Sequence, residues 1–404
     1  MATALICTVG TTLESGEDLV ELLSNEIREL APAFVLFLAS RESSDHALRV
    51  AAAVPLGESA FAIVQVESPH NINDIFEKTN DSIRELRMRG YGPDQILIDY
   101  TTGTKVMAAG AVLAAVMNQC CQLRYLFYNG HETERVLTAP ESVMAFRDLL
   151  LARRLIREMR FRSAYDLLSH IDSTDLSPYD VDSLNALRDV ALSYRHWDNF
   201  RYEEFLETIP KVPTQLEPIQ KFLIAPDTLE MIRTITGDLA AGRYSPPVLA
   251  DMLNNAERRL REGKLDDAAA RVYRALEMLS QWLLAEQGID TNDVDTRRIP
   301  PRFRVNFEAM RSLDEGIVRI GMRKAFELLT ILETPAGLRF DENRNLATLL
   351  QHRSDSILAH GTKSLGEVEC VELVRTARAF FVEEVEGFAD LCNQLQFRWL
   401  VEGF

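Results

Sequence analysis

Ile96-Leu-Ile-Asp-Tyr-Thr-Thr-Gly-Thr-Lys-Val-Met-Ala-Ala-Gly110 is the stretch on which the N-terminal third turns. An apolar run leads into Asp99 and Tyr100, a Thr/Gly turn follows, and small apolar residues continue from Thr104. A strand, a short polar turn and a helix opened by threonine form the βα half of a parallel sheet. The first free N–H groups of such a helix, and its dipole, favour an anion. Gly103 lets backbone approach a ligand closely. Lys105 supplies a charge, and the hydroxyls of Thr101, Thr102 and Thr104 can donate and accept. Ala108, Ala109 and Gly110 are expected to let the helix pack closely on the sheet. Neither GxxxxGK[ST] nor GxGxxG is present, so this is neither a P-loop nor a dinucleotide fingerprint. The same residues also read as an N-capped helix with an exposed lysine, and composition leaves both readings open.

Working outward, strand-like runs fall at 5–9, 33–39, 61–67, 95–100 and 123–128, alternating with helical periodicity such as 18–30, 74–87 and 105–117. That alternation predicts an α/β Rossmann-like domain with a parallel-rich sheet over 1–144. In such sheets ligands bind beyond the carboxyl ends of the strands. The segments there are small and polar: Gly10-Thr11-Thr12, Ser40-Arg41, Ser68 to Asn71, Thr101 to Lys105, and Asn129-Gly130. After about residue 145 no strand pattern remains. Residues 145–250 read as an all-α connector broken at Pro178, Pro210, Pro213, Pro218, Pro226, Pro246 and Pro247. Residues 251–404 read as an all-α domain with helices at 249–262, 265–286, 303–312, 317–333, 343–359 and 366–397. The segment 262–277 resembles one helix of a tetratricopeptide unit, but no 34-residue recurrence accompanies it.

The chain has 404 residues, 44 Lys plus Arg and 61 Asp plus Glu, a formal net charge of −17. With 47% hydrophobic and 26% charged residues, disordered, collagen-like and disulfide-rich classes are excluded. The acidic balance argues at first against a nucleic-acid partner. By region the net charge is −9 over 1–144, −3 over 145–250 and −5 over 251–404. Two basic clusters run against it: Arg153, Arg154, Arg157, Arg160 and Arg162, expected in helix-surface ion pairs, and Arg297, Arg298, Arg302 and Arg304, which read as a solvated loop or as a contact for an anionic backbone. The five cysteines form no CxxC pair, no metal cluster is visible, and reduced thiols in a cytoplasmic protein are expected. No signal peptide and no membrane span are expected.

Val9-Gly10-Thr11-Thr12 after the first strand, together with Asp99-Tyr-Thr-Thr-Gly-Thr-Lys105 after the fourth, resembles the CARF domain of CRISPR-associated proteins. The resemblance covers residues 1 to about 140. It implies a homodimer that binds cyclic oligoadenylate across its two-fold axis, each protomer offering the same donors. It carries Gly10, Thr11, Thr12, Thr101, Thr102, Gly103, Thr104 and Lys105 onto the ligand. Ser40 and Asn71 are added from their places after strands.

In the C-terminal region only His360 has a suggestive neighbourhood, Gln351-His-Arg353-Ser-Asp-Ser-Ile-Leu-Ala-His360-Gly361. On an α-helix Arg353 and His360 lie within about 20° of one face and about 10 Å apart along the axis. Gly361 would end the helix and place His360 at its negative end. The pattern also reads as a surface arginine and a helix-terminal histidine. It resembles the R-x4-6-H motif of HEPN ribonucleases, with Ser354 where that family often has Asn. The resemblance implies a metal-independent endoribonuclease of type III CRISPR antiviral defence, cutting single-stranded RNA by 2′-hydroxyl transesterification and needing no catalytic cofactor. Arg353 and His360 of two paired domains would share one cleft, His360 moving protons and Arg353 stabilising phosphate charge. The competing readings are an oligoadenylate sensor with a catalytically weak helical scaffold, and an N-terminal domain that degrades its own activator.

Overall fold

The computed structural model describes residues 2–11, 18–57, 59–118, 122–128, 133–138, 141–174, 176–354 and 365–401; for 127–128, 133–138, 141–142 and 352–354 it describes the backbone alone. The chain forms two compact units, Met1–Leu150 with His170–Val181, and Leu151–Ser169 with Asp182–Phe404.

The first unit is a βα alternation: β1 (Ala4–Val9), α1 (Leu19–Leu30), β2 (Phe34–Ser40), α2 (Ser44–Ala53), β3 (Phe61–Val66), α3 (Ile72–Met88), β4 (Ile96–Asp99), α4 (Lys105–Met117), β5 (Gln122–Tyr128), β6 (Thr133–Thr138) and α5 (Glu141–Arg157), whose C-terminal part enters the second unit. The sheet order is β3-β2-β1-β4-β5-β6. β1 to β5 pair in parallel, with Ile6 beside both Leu36 and Ile98. Every residue of β1 and β2 is buried, because helices cover both faces. Alternate side chains divide accordingly. Ala4 and Ile6 join a core with α3 and α4, while Leu5, Cys7 and Val9 join another with α1 and α2.

The five strands read from the sequence pair in parallel, in keeping with the parallel-rich expectation, and β6 is an edge strand that the sequence reading did not include. It pairs antiparallel to β5, Tyr128 opposite Thr133. As an edge strand it has one partner, and charged residues such as Glu134 and Arg135 there hide the apolar signal. A correction concerns α4. Its buried residues are Met107, Gly110, Ala111, Ala114 and Ala115, while Ala109 is exposed. A Cβ on Gly110 would stand 2.8 Å from Ile75 of α3, so the small residue serves helix-to-helix contact and not the sheet.

The second unit is helical: α6 (Phe161–Ser169), α7 (Pro178–Asp198), α8 (Tyr202–Thr208), α9 (Pro226–Ala240), α10 (Pro246–Arg261), α11 (Leu265–Glu286), α12 (Pro301–Glu308), α13 (Met322–Ile331), α14 (Pro335–Glu342), α15 (Arg344–Ser354), α16 (Glu367–Glu384), α17 (Phe388–Gln394) and α18 (Arg398–Val401). The first residues of α7 belong to the other unit. Pro178, Pro226 and Pro246, expected as breaks, are the first residues of helices, where a missing N–H is harmless. The expected helix over 366–397 is interrupted by Gly387, whose φ is +69°. α11 packs on α10, α13 and α16, and α15 packs on α11 and α16. Among the described residues no helix is long and apolar enough to cross a membrane.

Candidate functional site

Strand order reverses between β1 and β4: β2 and β3 lie on one side, β5 and β6 on the other. The loops leaving these two neighbouring strands therefore lie at the switch point of the sheet, the carboxyl-edge position where open α/β sheets bind ligands. Gly10 and Gly103 meet there. A Cβ on Gly10 would stand 2.6 Å from Gly103 N and 2.9 Å from its Cα. Gly103 itself has φ +95°, a conformation L side chains rarely adopt. Below them Thr8 and Thr102 lock the loops: each hydroxyl faces the other residue's backbone carbonyl. Gly10 N donates to Thr102 Oγ1 at 3.2 Å.

The hydroxyls around this switch point divide by role. Thr102 is buried and braces the turn. Thr101 ties it to β5, accepting from Leu126 N at 3.0 Å. Thr104 caps α4, accepting from Met107 N at 3.1 Å and donating to Pro69 O at 2.7 Å, which joins the loops after β3 and β4. Thr11 and Lys105 are exposed at the rim. Asn71 is exposed and caps α3 through Asn73 N at 3.0 Å. Ser40, buried, shares a hydroxyl cluster with Ser43 and Ser44 after β2. Thr12 lies outside the described residues.

Beneath the turn the sequence reading missed a titratable cluster. Asp99 is fully buried; Oδ1 accepts from Thr101 N at 2.8 Å, and Oδ2 has no hydrogen-bond partner among the described residues. Burial pushes its carboxyl up to about 6, against a weaker opposing pull from Thr101. Cys7 on β1 is raised by burial and by Asp99. Glu26 of α1 and Arg124 of β5 form a buried ion pair beside them. Asp99 therefore binds a proton more tightly folded than unfolded, where the carboxyl releases it near 3.8. The sign follows: stability of this unit falls as pH rises from about 4 to about 6, by about 3 kcal/mol. Hydrogen exchange of β1 and β4 peptides, corrected for intrinsic rates, should lose protection across that window. Asp99→Asn should flatten the dependence; an unchanged slope would locate it elsewhere.

In the second unit Arg353 lies on α15, which is described to Ser354; its side chain, and His360 with Gly361, lie outside the described residues. The Arg297–Arg304 cluster is largely engaged within the chain. Arg297 pairs with Asp295 at 2.8 Å, and Arg304 donates to the carbonyls of Thr296, Arg297 and Ile299. Arg153, Arg154, Arg160 and Arg162 lie against Glu217, Glu158, Glu158 and Asp166.

The profile of the Csm6 HEPN domain matches residues 240–382. No curated protein matches the chain. Among solved structures, Enterococcus italicus Csm6 bound to cyclic hexa-2′-fluoro-hexa-dAMP is 12% identical over 100% of both chains, with a TM-score of 0.54, so the two share a fold. Can2 from Sulfobacillus thermosulfidooxidans in complex with cyclic tetra-adenylate is 13% identical over 49% of this chain and 67% of its own; its TM-score of 0.24 carries no weight for the fold.

Proposed function

We propose that this chain, whose residues 240–382 match the Csm6 HEPN domain and whose fold is shared with a Csm6, is a CARF–HEPN protein: a cyclic-oligoadenylate-activated, metal-independent endoribonuclease of type III CRISPR defence, acting on single-stranded RNA in the cytoplasm as a homodimer. The observation that carries the sensing half is the meeting of Gly10 and Gly103 at the β1/β4 switch point. Bare backbone there lets a phosphate approach, with Thr11 and Lys105 at the rim. The sensing, connecting and cutting segments are 1–144, 145–250 and 251–404.

RNA supplies its own nucleophile. The 2′-hydroxyl gives up its proton as its oxygen attacks the adjacent phosphorus, and the 5′-oxygen leaves with a proton as a 2′,3′-cyclic phosphate forms; His360 serves as base for the first transfer or acid for the second, and water completes the other. Arg353 offers paired N–H donors to the phosphate oxygens as charge builds. Ligand binding activates only if it favours the active pairing of nuclease domains over the inactive one.

The test is cleavage of a fluorogenic single-stranded RNA with cyclic tri-, tetra- and hexa-adenylate in parallel, with and without EDTA. Cleavage dependent on one ring and indifferent to EDTA is expected; no cleavage with any ring rejects the reading. Gly10→Ala is expected to weaken activator binding at least tenfold, because its Cβ meets Gly103 backbone that cannot swing aside. Calorimetric titration with the activating ring checks this, and unaltered affinity would place the ligand elsewhere.

A further inference from the structure

Three helix-to-helix turns of the second unit are built alike. α5, α7 and α10 each end, and one residue takes a left-handed backbone: Met159 (φ 60°), Phe200 (φ 59°) and Gly263 (φ 72°). A basic residue follows, and the next helix opens on an apolar side chain: Arg160-Phe161, Arg201-Tyr202 and Lys264-Leu265. The hydrogen bonds coincide. The N–H groups of Arg160, Arg201 and Lys264 reach back to the carbonyls of Leu155, His196 and Arg259 at 2.8, 2.9 and 2.9 Å. Those of Met159, Phe200 and Gly263 reach Ile156, Trp197 and Leu260, each at 2.9 Å. The same Schellman-type closure also ends α9, α11 and α13, where Arg243, Ile289 and Thr334 hold the following position; in the three turns compared above a cation directly precedes the next helix.

At each turn the cation stands where the next helix favours the opposite. The start of a helix presents free N–H groups and a positive dipole end, which Ser, Thr, Asp or Asn satisfy. Arg201 and Lys264 make no side-chain cap. A local preference set aside three times in equivalent places points to something outside local stability.

All three cations line one cleft of about 980 Å³. Its wall holds seven Arg and Lys side chains against three carboxylates, in a chain of net charge −17. Arg160, Arg201 and Lys264 are 67%, 58% and 55% exposed. Glu204 and Asp166, which pair with Arg201 and Arg162 from outside the lining, reduce that excess from four to two. Deeper lies Arg259, 7% exposed: it pairs with Asp198 and Glu262, yet its Nε has no hydrogen-bond partner among the described residues. His196 in the wall is held below its ordinary value by burial and then by Arg201, as expected in a positive field. Phe161, the one aromatic ring in the lining besides the histidine, is 3% exposed, so no ring face is offered for a base to stack on. The chemistry recognises phosphate and not base.

We propose that the cleft formed by the α5–α6, α7–α8 and α10–α11 turns binds the phosphodiester backbone of single-stranded RNA without regard to sequence. This rests on the nuclease reading for its biological sense, but its test reads binding and not cleavage. The triple variant Arg160→Asn, Arg201→Asn, Lys264→Asn is compared with its parent, both carrying His360→Ala so that RNA stays intact. Fluorescence anisotropy follows labelled oligo-U and oligo-A of about 12 nucleotides between about 50 and 200 mM salt. Affinity should fall at least tenfold for both, and the slope of log K against log salt should become shallower by about 2, three phosphate contacts at about 0.7 each. Thermal stability should hold or rise, because asparagine caps helices better than the cations it replaces. The charge-keeping variant Arg160→Lys, Arg201→Lys should bind like the parent. Equal affinity and slope in parent and triple variant overturns the proposal. So does inorganic pyrophosphate that binds the parent and not the triple variant while RNA binding is the same in both, which would make the occupant a small phosphate. A chain that cuts no RNA with any ring, yet loses binding in the triple variant, removes the nuclease reading and leaves the cleft standing.

Discussion

His360→Ala is expected to lower activator-dependent RNA cleavage by about 10²–10⁴-fold, the range that a positioned general acid–base supplies. Arg353→Ala is expected to cost about 10²–10³-fold, by analogy with removal of one transition-state donor. Both should leave oligoadenylate affinity untouched, since the proposed activator site lies on the β1/β4 loops of the other unit. The two losses should not add. If proton transfer and charge stabilisation act on the same phosphorus, the double variant should sit near the worse single one. The pH profile supplies a sharper check. An imidazole with an ordinary value of about 6.5 gives a rate that bends in the neutral range. The bend should vanish in His360→Ala, leaving residual cleavage that rises with hydroxide alone. Single-turnover rates across pH, for wild type and both variants, measure all of this. Two variants that cleave as fast as wild type would remove the catalytic assignment, and the helical unit would then be a scaffold.

The second large effect concerns stability. Arg258 has no exposed side-chain surface, and neither does Asp251; Asp198 retains 5%. The guanidinium reaches Asp198 at 2.9 Å, Asp251 at 3.1 Å and Gln396 at 3.1 Å, and lies 4.2 Å over the Phe397 ring. Asp251 also accepts from Trp197 Nε1 at 3.1 Å and Tyr202 OH at 2.7 Å. Burial raises the Asp251 carboxyl, and Arg258 is the largest influence pulling it back. Around them Phe161, Tyr194, Trp197, Phe205, Phe397 and Trp399 stack or meet edge to face. Arg258→Ala leaves the buried Asp251 carboxylate without a charged partner, while Asp198 keeps Arg259, and empties a guanidinium-sized space. The expected cost is about 3–5 kcal/mol, the usual result of removing one partner of a buried pair. Arg258→Lys keeps a charge but cannot span three acceptors, so an intermediate loss is expected. All three tryptophans, at 197, 282 and 399, lie in the helical unit, so their fluorescence during urea unfolding reports on this unit. A loss below about 1 kcal/mol for Arg258→Ala would show that the network is neutral to stability.

Local pattern was enough for several elements. The apolar runs of β1, β2 and β4, the Thr/Gly turn at 101–104, and α4 and α11 with their observed ends are all set by neighbours a few residues apart. Buried parallel strands and amphipathic helices write their period directly into the chain. The polar edge strand β6 did not, because one partner and one exposed flank relax the demand for apolar residues. At the switch point, Gly10, Thr102 and Gly103 were legible as loop residues, whereas the full burial and unpartnered Oδ2 of Asp99 beneath them, among the described residues, were not legible from its place in the motif.

What the sequence by itself determined is therefore the buried parallel strands, most of the long helices and the chemistry of the loops between them. The strand order, which alone brings Gly10 against Gly103, was decided by tertiary structure. So were the burial of Arg258, an ordinary helix arginine by pattern, and the gathering of Arg160, Arg201 and Lys264 into one cleft. Contacts between residues far apart in the chain leave no period to read. They follow from which apolar faces find each other, and the charges riding on those faces are carried along.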